Sequence, residues 1–223
     1  MIFNGLIAQT SKEKITLKIE DFIEDLENLK EVFGENKKIP SDYELQSLLA
    51  LSRYPELKEE KIEFVYATGS YTMAARPKIT SVFTWGRKKR TYQIFINTIS
   101  HKGGLLLSEV PFNEQVGVIG HELAHILYYT KRSALRIILD GIAYSSKKFR
   151  SKFEKDTDIV AIHRGFGWQI YAFSNRVLSE KKIPEEYKKY KRKIYLSPEA
   201  VLDFIKEQEV SSDSDENTEP VGF

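Results

Sequence analysis

Gly117-Val-Ile-Gly-His-Glu-Leu-Ala-His-Ile-Leu-Tyr-Tyr129 is the stretch that decides how this chain folds. It contains two histidines, His121 and His125, four positions apart. On a helix such positions lie on one face, with Cβ atoms about 5–6 Å apart. Apolar residues surround the pair, which predicts a largely buried helix over 113–130 with Asn113 as its N-cap. These apolar residues are Val116, Val118, Ile119, Leu123, Ile126 and Leu127.

Two buried imidazoles and the intervening Glu122 need polar partners, because burying unpaired polar groups is costly. One zinc ion would satisfy them, with His121 and His125 as ligands. Glu122 follows the first histidine at the edge of the same face, where it can hydrogen-bond a zinc-bound water without ligating the metal. Zinc lowers the pKa of that water and the glutamate accepts its proton. The alternative is a helix whose histidines hydrogen-bond neighbouring groups or face solvent.

A catalytic zinc ion takes three protein ligands and keeps one position for water, so a third ligand must come from elsewhere. The chain has no cysteine, which leaves imidazole and carboxylate groups. Glu154 is the best candidate, because Asp158 follows on the same helical face and can orient a ligating histidine. Ala161 and Gly165 continue that face and suit close packing against another helix. The alternative is two carboxylates on a solvated helical face.

The motif HELAH at 121–125, followed by the pattern E-x-x-x-D-x-x-A at 154–161, resembles the gluzincin metallopeptidases. The resemblance covers these two helices and the order of the preceding strands. It implies a zincin-like fold, in which a small twisted sheet packs against the active-site helix and a second helix supplies a metal ligand. The implied zinc ligands are His121, His125 and Glu154. Glu122 would be the general base, and Asp158 would orient a ligand.

Members of that family hold an extended substrate by main-chain pairing with an edge strand beside the active-site helix. By this analogy, Thr80–Trp85 or Thr91–Asn97 is the substrate strand. His163 is an alternative third ligand, because SprT-like proteins, which this arrangement also resembles, bind their metal through three histidines. His163 lies nine residues after Glu154, about half a turn round a continuous helix, so the two cannot face one ion.

The composition and the length of 223 residues are typical of one soluble globular domain. No basic residue precedes the apolar patch at the N-terminus, and no apolar run is long enough to cross a membrane. These absences favour a cytoplasmic location and no membrane partner.

The net charge of +2 includes five acidic residues and no basic one in Glu209–Phe223. Seven lysines and arginines in Lys181–Lys193 form a basic cluster, which fits a solvated helical face, or a contact with nucleic acid or a membrane surface.

The order of elements predicts an α+β domain over 1–208 and an acidic disordered tail over 209–223. The predicted helices span 19–33, 41–53, 113–130, 133–145, 153–178 with a bend at Gly165 or Gly167, 183–195, and 198 onward. The predicted strands are Ile62–Thr68, Thr80–Trp85 and Thr91–Asn97. Residues 67–77 are expected to form a mobile loop near the cleft.

The sequence predicts zinc-dependent hydrolysis of a peptide bond in a peptide or protein substrate. Tyr128, Tyr129 and Tyr171 are candidate donors to the developing oxyanion. His101 lies in a glycine-containing loop, either close to the cleft or exposed. Two other classes stay open: a zinc-stabilised binding or regulatory domain without turnover, and a nucleic-acid-associated protein that uses Lys181–Lys193.

Overall fold

The structure is a computed structural model that describes residues 16–83, 90–100 and 103–216, the last six of them by backbone alone. It has a mixed α/β fold with a small sheet, which is compatible with the predicted α+β domain. The helices are α1 (Leu26–Phe33), α2 (Glu44–Leu51), α3 (Ile79–Val82), α4 (Phe112–Thr130), α5 (Ala134–Ala143), α6 (Lys147–Ala161), α7 (Gly167–Ser179), α8 (Glu185–Ile194) and α9 (Pro198–Glu216). The strands are β1 (Lys37–Lys38), β2 (Lys61–Gly69), β3 (Met73–Pro77) and β4 (Thr91–Ser100).

The four strands form one small sheet in the order β1-β2-β4-β3. The first three of these are parallel, and β3 runs antiparallel to β4, with Met73 opposite Ile96 and Pro77 opposite Tyr92. Alternate residues of β4, Tyr92, Ile94 and Ile96, are buried, which is the pattern of a strand with one face on the core. Because β3 is last in the strand order, it is an edge strand of the described sheet, and β4 is interior.

α4 is the central helix of the fold. It contacts β3, α2, α6 and α7, and every residue from Val116 to Leu127 is buried. A Cβ on Gly117 would lie 2.6 Å from the Cβ of Gln169 in α7, and one on Gly120 would lie 2.8 Å from the ring of Phe166. The two glycines therefore permit α7 and the turn before it to approach α4 closely. The predicted buried helix is confirmed.

The long helix predicted over 153–178 is two helices separated by a π-helical turn, Ile162–Phe166. Gly165 has a φ of 82° in that turn, a left-handed conformation that residues with a Cβ rarely adopt. The predicted bend is confirmed at this glycine. α6 begins at Lys147, six residues before the predicted start at Phe153.

Two predictions about strands are wrong. Ile79–Val82 forms a helical turn, not the start of a strand over Thr80–Trp85, and residues 84–89 lie outside the described residues. The hydroxyl of Ser81 donates to the carbonyl of Lys78 and accepts the Thr91 N–H, so local bonds replace sheet pairing. Residues 67–77, expected as a mobile loop, instead contain β3. The short stretch Met73–Pro77 has weak strand character alone, and pairing with β4 supplies its backbone partners.

Two helix ends differ from the bounds expected from the sequence. Asn113 is not the N-cap of α4, because the helix begins at Phe112 after Pro111. The Asn113 side chain instead accepts hydrogen bonds from the Leu17 N–H at 2.9 Å and from the Gln169 amide at 3.1 Å. α9 continues to Glu216, so the acidic stretch is helical where its backbone is described, since extending an existing helix is far easier than starting one. Residues 217–223 of the predicted tail lie outside the described residues.

In the part of the chain that the structure describes, no helix combines the length and the apolar character needed to cross a bilayer.

We expect Gly117→Ala to destabilise the protein, by about 1–3 kcal/mol, because the new methyl group overpacks the contact with Gln169. Gly141→Ala is the matched control, since a Cβ there meets nothing within 4 Å and alanine is the better helix former. Urea unfolding of the two variants and the parent measures the difference. Equal stabilities for the two variants would contradict the close approach of α7 to α4.

Candidate metal centre

Three buried side chains from α4 and α6 converge on one point. The Nε2 atoms of His121 and His125 lie 3.1 Å apart. Oε2 of Glu154 lies 3.1 Å from Nε2 of His121 and 3.3 Å from Nε2 of His125. Among the described residues, these three form the one group of histidine and carboxylate side chains arranged to hold a metal ion. The structure thus brings together the three ligands predicted from the sequence.

The arrangement of these three atoms fits a tetrahedral metal ion. Ligands about 2.0–2.1 Å from a tetrahedral zinc ion lie roughly 3.3–3.4 Å from one another. The three distances between the candidate ligand atoms are 3.1, 3.1 and 3.3 Å. Two imidazole nitrogens and one carboxylate oxygen are also a donor set that suits zinc, whereas magnesium and calcium prefer oxygen alone.

Each histidine is oriented through its other ring nitrogen. Oδ1 of Asp158 lies 2.8 Å from Nδ1 of His121, and Oδ2 of Asp158 accepts the Leu196 N–H at 3.0 Å. The Thr157 hydroxyl donates to the carbonyl of Phe153 at 2.8 Å. Its oxygen lies 3.3 Å from Nδ1 of His125 and is therefore placed to accept a proton from that ring. Both arrangements leave the Nε2 lone pairs free for a metal, as expected for supported histidine ligands.

Three of these supporting groups were not predicted from the sequence. Thr157 lies three residues after Glu154, so the helical spacing that identified Asp158 also contains a signal for it. The Tyr144 hydroxyl donates to Oε1 of Glu154, the oxygen that faces away from the histidines. Tyr144 and the Leu196 backbone reach the centre only through the path of the chain, and no sequence pattern marks them.

Glu122 lies beside the centre without joining its hydrogen bonds. The residue is buried, and its Oε2 has no hydrogen-bond partner in the described structure. Burial raises the pKa of the Glu122 carboxyl, and the charges of His125 and His121 oppose that rise only in part. A buried carboxylate with an unpaired oxygen needs a ligand or a water molecule at that oxygen.

In the metal-free protein a raised pKa of His121 keeps a proton on this ring, which offsets part of the negative charge of Asp158 and Glu154. Burial alone would favour the neutral ring, but hydrogen bonds to Asp158 and Glu154 outweigh it and raise the pKa of His121 to about 10. Burial also disfavours ionised Glu154, but the charge of His125 and the hydrogen bond from His121 outweigh it and lower the pKa of Glu154 well below its ordinary value. A bound metal ion would replace that proton.

The centre opens into a cleft of about 1100 Å³, whose walls include β3, α4, α6 and the middle of α5. Tyr129 lines this cleft, as do Tyr71 and Tyr195, which the sequence did not single out. Tyr128, by contrast, donates its hydroxyl proton to Asp140 at 2.7 Å, and Tyr171 packs against Trp168. Of the three tyrosines predicted as oxyanion donors, only Tyr129 therefore lines the cleft.

The other candidate residues lie apart from the centre. His163 is exposed on the π-helical turn and does not belong to the metal-binding group, and His101 lies outside the described residues. Several lysines and arginines of Lys181–Lys193 form ion pairs, at 3.4–3.8 Å, with Glu185 and Glu186 on the same helix. This pairing fits the solvated-face interpretation, and binding of nucleic acid stays a prediction.

Comparison of the chain with protein-family models, with curated proteins and with solved structures gives no match. The candidate metal centre therefore rests on the geometry of its own residues.

We expect the metal-free protein to lose stability as the pH rises from 6.5 to about 10. A pKa raised on folding contributes stability that is fully present below the unfolded value of 6.5 and is lost as the pH passes the folded value of about 10. Thermal unfolding of zinc-free and zinc-loaded protein across this range measures the effect. The loaded protein should change less, because the ion replaces the proton. An unchanging melting temperature for the metal-free form would contradict the protonated centre.

We expect Asp158→Asn to weaken zinc binding about 10–100-fold, because an amide cannot accept from both His121 and the Leu196 N–H. Asp156→Asn is the matched control, since this carboxylate is exposed on the same helix and pairs with Lys152. Competition with a chelating dye measures both affinities. Equal affinities for the two variants would mean that Asp158 does not support a metal ligand.

Proposed function

We propose that the protein is a zinc-dependent hydrolase of peptide bonds, with a zincin-like fold and a centre of the gluzincin type. The single observation that carries the proposal is the buried carboxylate of Glu122, whose Oε2 has no hydrogen-bond partner among the described residues, in the cleft that three convergent ligand atoms also line. A purely structural metal site is closed by four protein ligands. Among the described residues three candidate ligands are present, and Glu122 lines the same cleft.

The three candidate ligands, His121, His125 and Glu154, would hold the ion, and Asp158, Thr157 and Tyr144 hold these ligands in place. When bound there, zinc lowers the pKa of a water molecule and polarises a carbonyl group. His121 and His125 would present neutral Nε2 atoms, because Asp158 and Thr157 occupy their Nδ1 atoms. Tyr144 holds the second oxygen of Glu154, which favours ligation through one oxygen only.

Glu122 is the proposed general base. Its carboxylate accepts a proton from the attacking water and then donates that proton to the amine that leaves when the peptide bond breaks. The elevated pKa of Glu122 suits this exchange, because a more basic carboxylate takes up a proton more readily. Its burial also keeps bulk water away from the proton being transferred.

β3 is the proposed substrate strand. The strands expected for this role do not fit it, because Thr91–Asn97 is interior to the sheet and the start of Thr80–Trp85 is helical. β3 is the edge strand next to α4, and residues 70–77 line the cleft. An extended peptide can therefore pair with the edge of Met73–Pro77 that has no neighbour in the described sheet, and pass over the centre.

We expect the protein to bind about one zinc ion per chain and to cleave quenched fluorescent peptides. Glu122→Gln should keep the zinc and lower kcat about 10²–10⁴-fold, the usual contribution of a general base. Glu154→Ala should lose zinc and activity together. His163→Ala is the matched control, because this exposed histidine lies outside the centre, and it should keep both.

Elemental analysis and peptide cleavage on the four proteins separate the alternatives. Zinc without cleavage in the parent protein would favour a metal-stabilised binding domain and would contradict the hydrolase. Loss of zinc from His163→Ala, with Glu154→Ala unaffected, would replace the proposed centre with three histidines. Absence of zinc after the metal is supplied would refute the proposal as a whole.

A further inference from the structure

α5 turns an apolar face away from the protein. The α5 stripe consists of Leu135, Ile138, Leu139 and Ile142, whose exposed fractions are 67%, 39%, 49% and 67%. These residues recur at i, i+3, i+4 and i+7, the spacing of one helical face. The buried residues of α5, Ile137 and Asp140, lie on the opposite side. A helix on the surface of a globular protein normally has the reverse arrangement, so the stripe requires a partner.

In the segment of the chain that contains the α5 stripe, the exposed charges are all positive. From Lys131 to Lys152 the chain has seven lysines and arginines and one acidic residue, Asp140. Asp140 is buried, and it accepts from Arg136 at 3.0 Å and from the Tyr128 hydroxyl at 2.7 Å. Its charge is therefore neutralised inside the protein, and no exposed carboxylate offsets the cations of this segment.

A second group of cations lies directly after α5. A shallow depression at the start of α6 is lined by Lys147, Lys148, Ser151, Lys152, Lys155, Asp156 and Lys193. Asp156 pairs with Lys152, so five lysines against one aspartate leave a surplus of four positive charges. This surplus of positive charge suits phosphate groups, and the depression begins four residues after the end of α5.

We propose that α5 binds the surface of an anionic lipid bilayer. The α5 stripe would lie at the boundary between headgroups and acyl chains, and the flanking lysines and arginines would contact the lipid phosphates. A short helix with Leu and Ile on one face and with cations around it is the pattern of interfacial membrane helices. The contact is peripheral, in accord with the absence of a spanning helix among the described residues.

Other occupants fit the same surface less well. Protein interfaces are depleted of lysine, whereas lysine is the main charged residue around the α5 stripe. A second copy related by a two-fold axis would bring the same cations face to face. Nucleic acid would match the charge, but its phosphate backbone gives the four apolar side chains no place to be buried. An anionic bilayer satisfies both the charge and the apolar face.

The position of the α5 stripe relates this surface to the cleft. Ile138 belongs to the stripe and also lines the cleft, together with Ile137 and Gly141 of the same helix. A bilayer bound to α5 would therefore lie at the rim of the cleft. The proposed contact goes beyond peptide hydrolysis and does not depend on it, because it needs neither the metal nor Glu122.

Co-sedimentation of the full chain with vesicles tests the contact. We expect binding to vesicles of phosphatidylcholine and phosphatidylglycerol in equal parts, little binding to phosphatidylcholine alone, and weakening by salt. Leu135→Gln with Ile142→Gln should weaken binding on the order of tenfold or more. The matched control, Ile19→Gln with Ile23→Gln, changes two isoleucines that are 44% and 51% exposed outside α5, and should bind like the parent.

Two further double variants show which lysines contact the anionic lipids. Lys147→Gln with Lys148→Gln should weaken binding about tenfold or more. Lys182→Gln with Lys189→Gln removes two lysines of the 181–193 cluster, each paired with a glutamate, and should leave binding unchanged. Loss of binding in the second pair alone would move the contact to that cluster and overturn the proposal.

A single fluorescent label reports on α5 directly. The chain has no cysteine, so Leu139→Cys and Ile23→Cys can each be labelled at one position. We expect anionic vesicles to shift the emission of an environment-sensitive dye to the blue at residue 139 and not at residue 23. Absence of vesicle binding, or an unshifted label at residue 139 on bound protein, would overturn the proposal. So would a dimer that the α5 variants dissociate and that does not bind vesicles.

Discussion

The packing of α4 against α6 depends on a buried group of charged side chains that satisfy one another. His121 lies between the carboxylates of Asp158 and Glu154, and His125 lies between Glu154 and Thr157. Leaving any one of these groups buried without its partner would cost several kcal/mol, of the order of 3–5 kcal/mol for a broken ion pair. These hydrogen bonds and ion pairs therefore fix how α4 and α6 are aligned along each other. On other sides of α4, Gly117 and Gly120 permit Gln169 and Phe166 to pack closely.

The same group of side chains explains why a metal ion suits this position. In the metal-free protein hydrogen bonds to Asp158 and Glu154 raise the pKa of His121, and a divalent ion can replace the proton on that ring. Glu122 is the exception, because the bonds that satisfy the other four side chains leave its Oε2 without a partner. Buried polar atoms without hydrogen-bond partners tend to occur at functional sites, and Glu122 lines the cleft. Apolar side chains of a surface helix are normally buried, whereas those of the α5 stripe are exposed at the rim of that cleft.

Much of this centre could be predicted from the sequence, because helical periodicity is a local property. The spacing of four residues places His121 with His125, and Glu154 with Asp158, and each pair does share a helical face. Tyr144 and Leu196 could not be predicted, since their approach depends on turns between helices. β3 was missed because a strand of five residues gains its stability from the partner strand, and Thr80–Trp85 was misassigned because branched residues suit a strand and a buried turn alike. The sequence could not predict that the apolar face of α5 is exposed. The same spacing of apolar residues is found in helices whose apolar face packs against the core.

The central claim is that one zinc ion is held by His121, His125 and Glu154. A crystal structure of the zinc-loaded protein, with anomalous scattering measured at the zinc absorption edge, tests it most directly. We expect one strong anomalous peak about 2.0–2.2 Å from Nε2 of both histidines and from a carboxylate oxygen of Glu154, with a fourth position open to the cleft. An anomalous peak at other residues, or none at this centre in protein that contains zinc, would contradict the account.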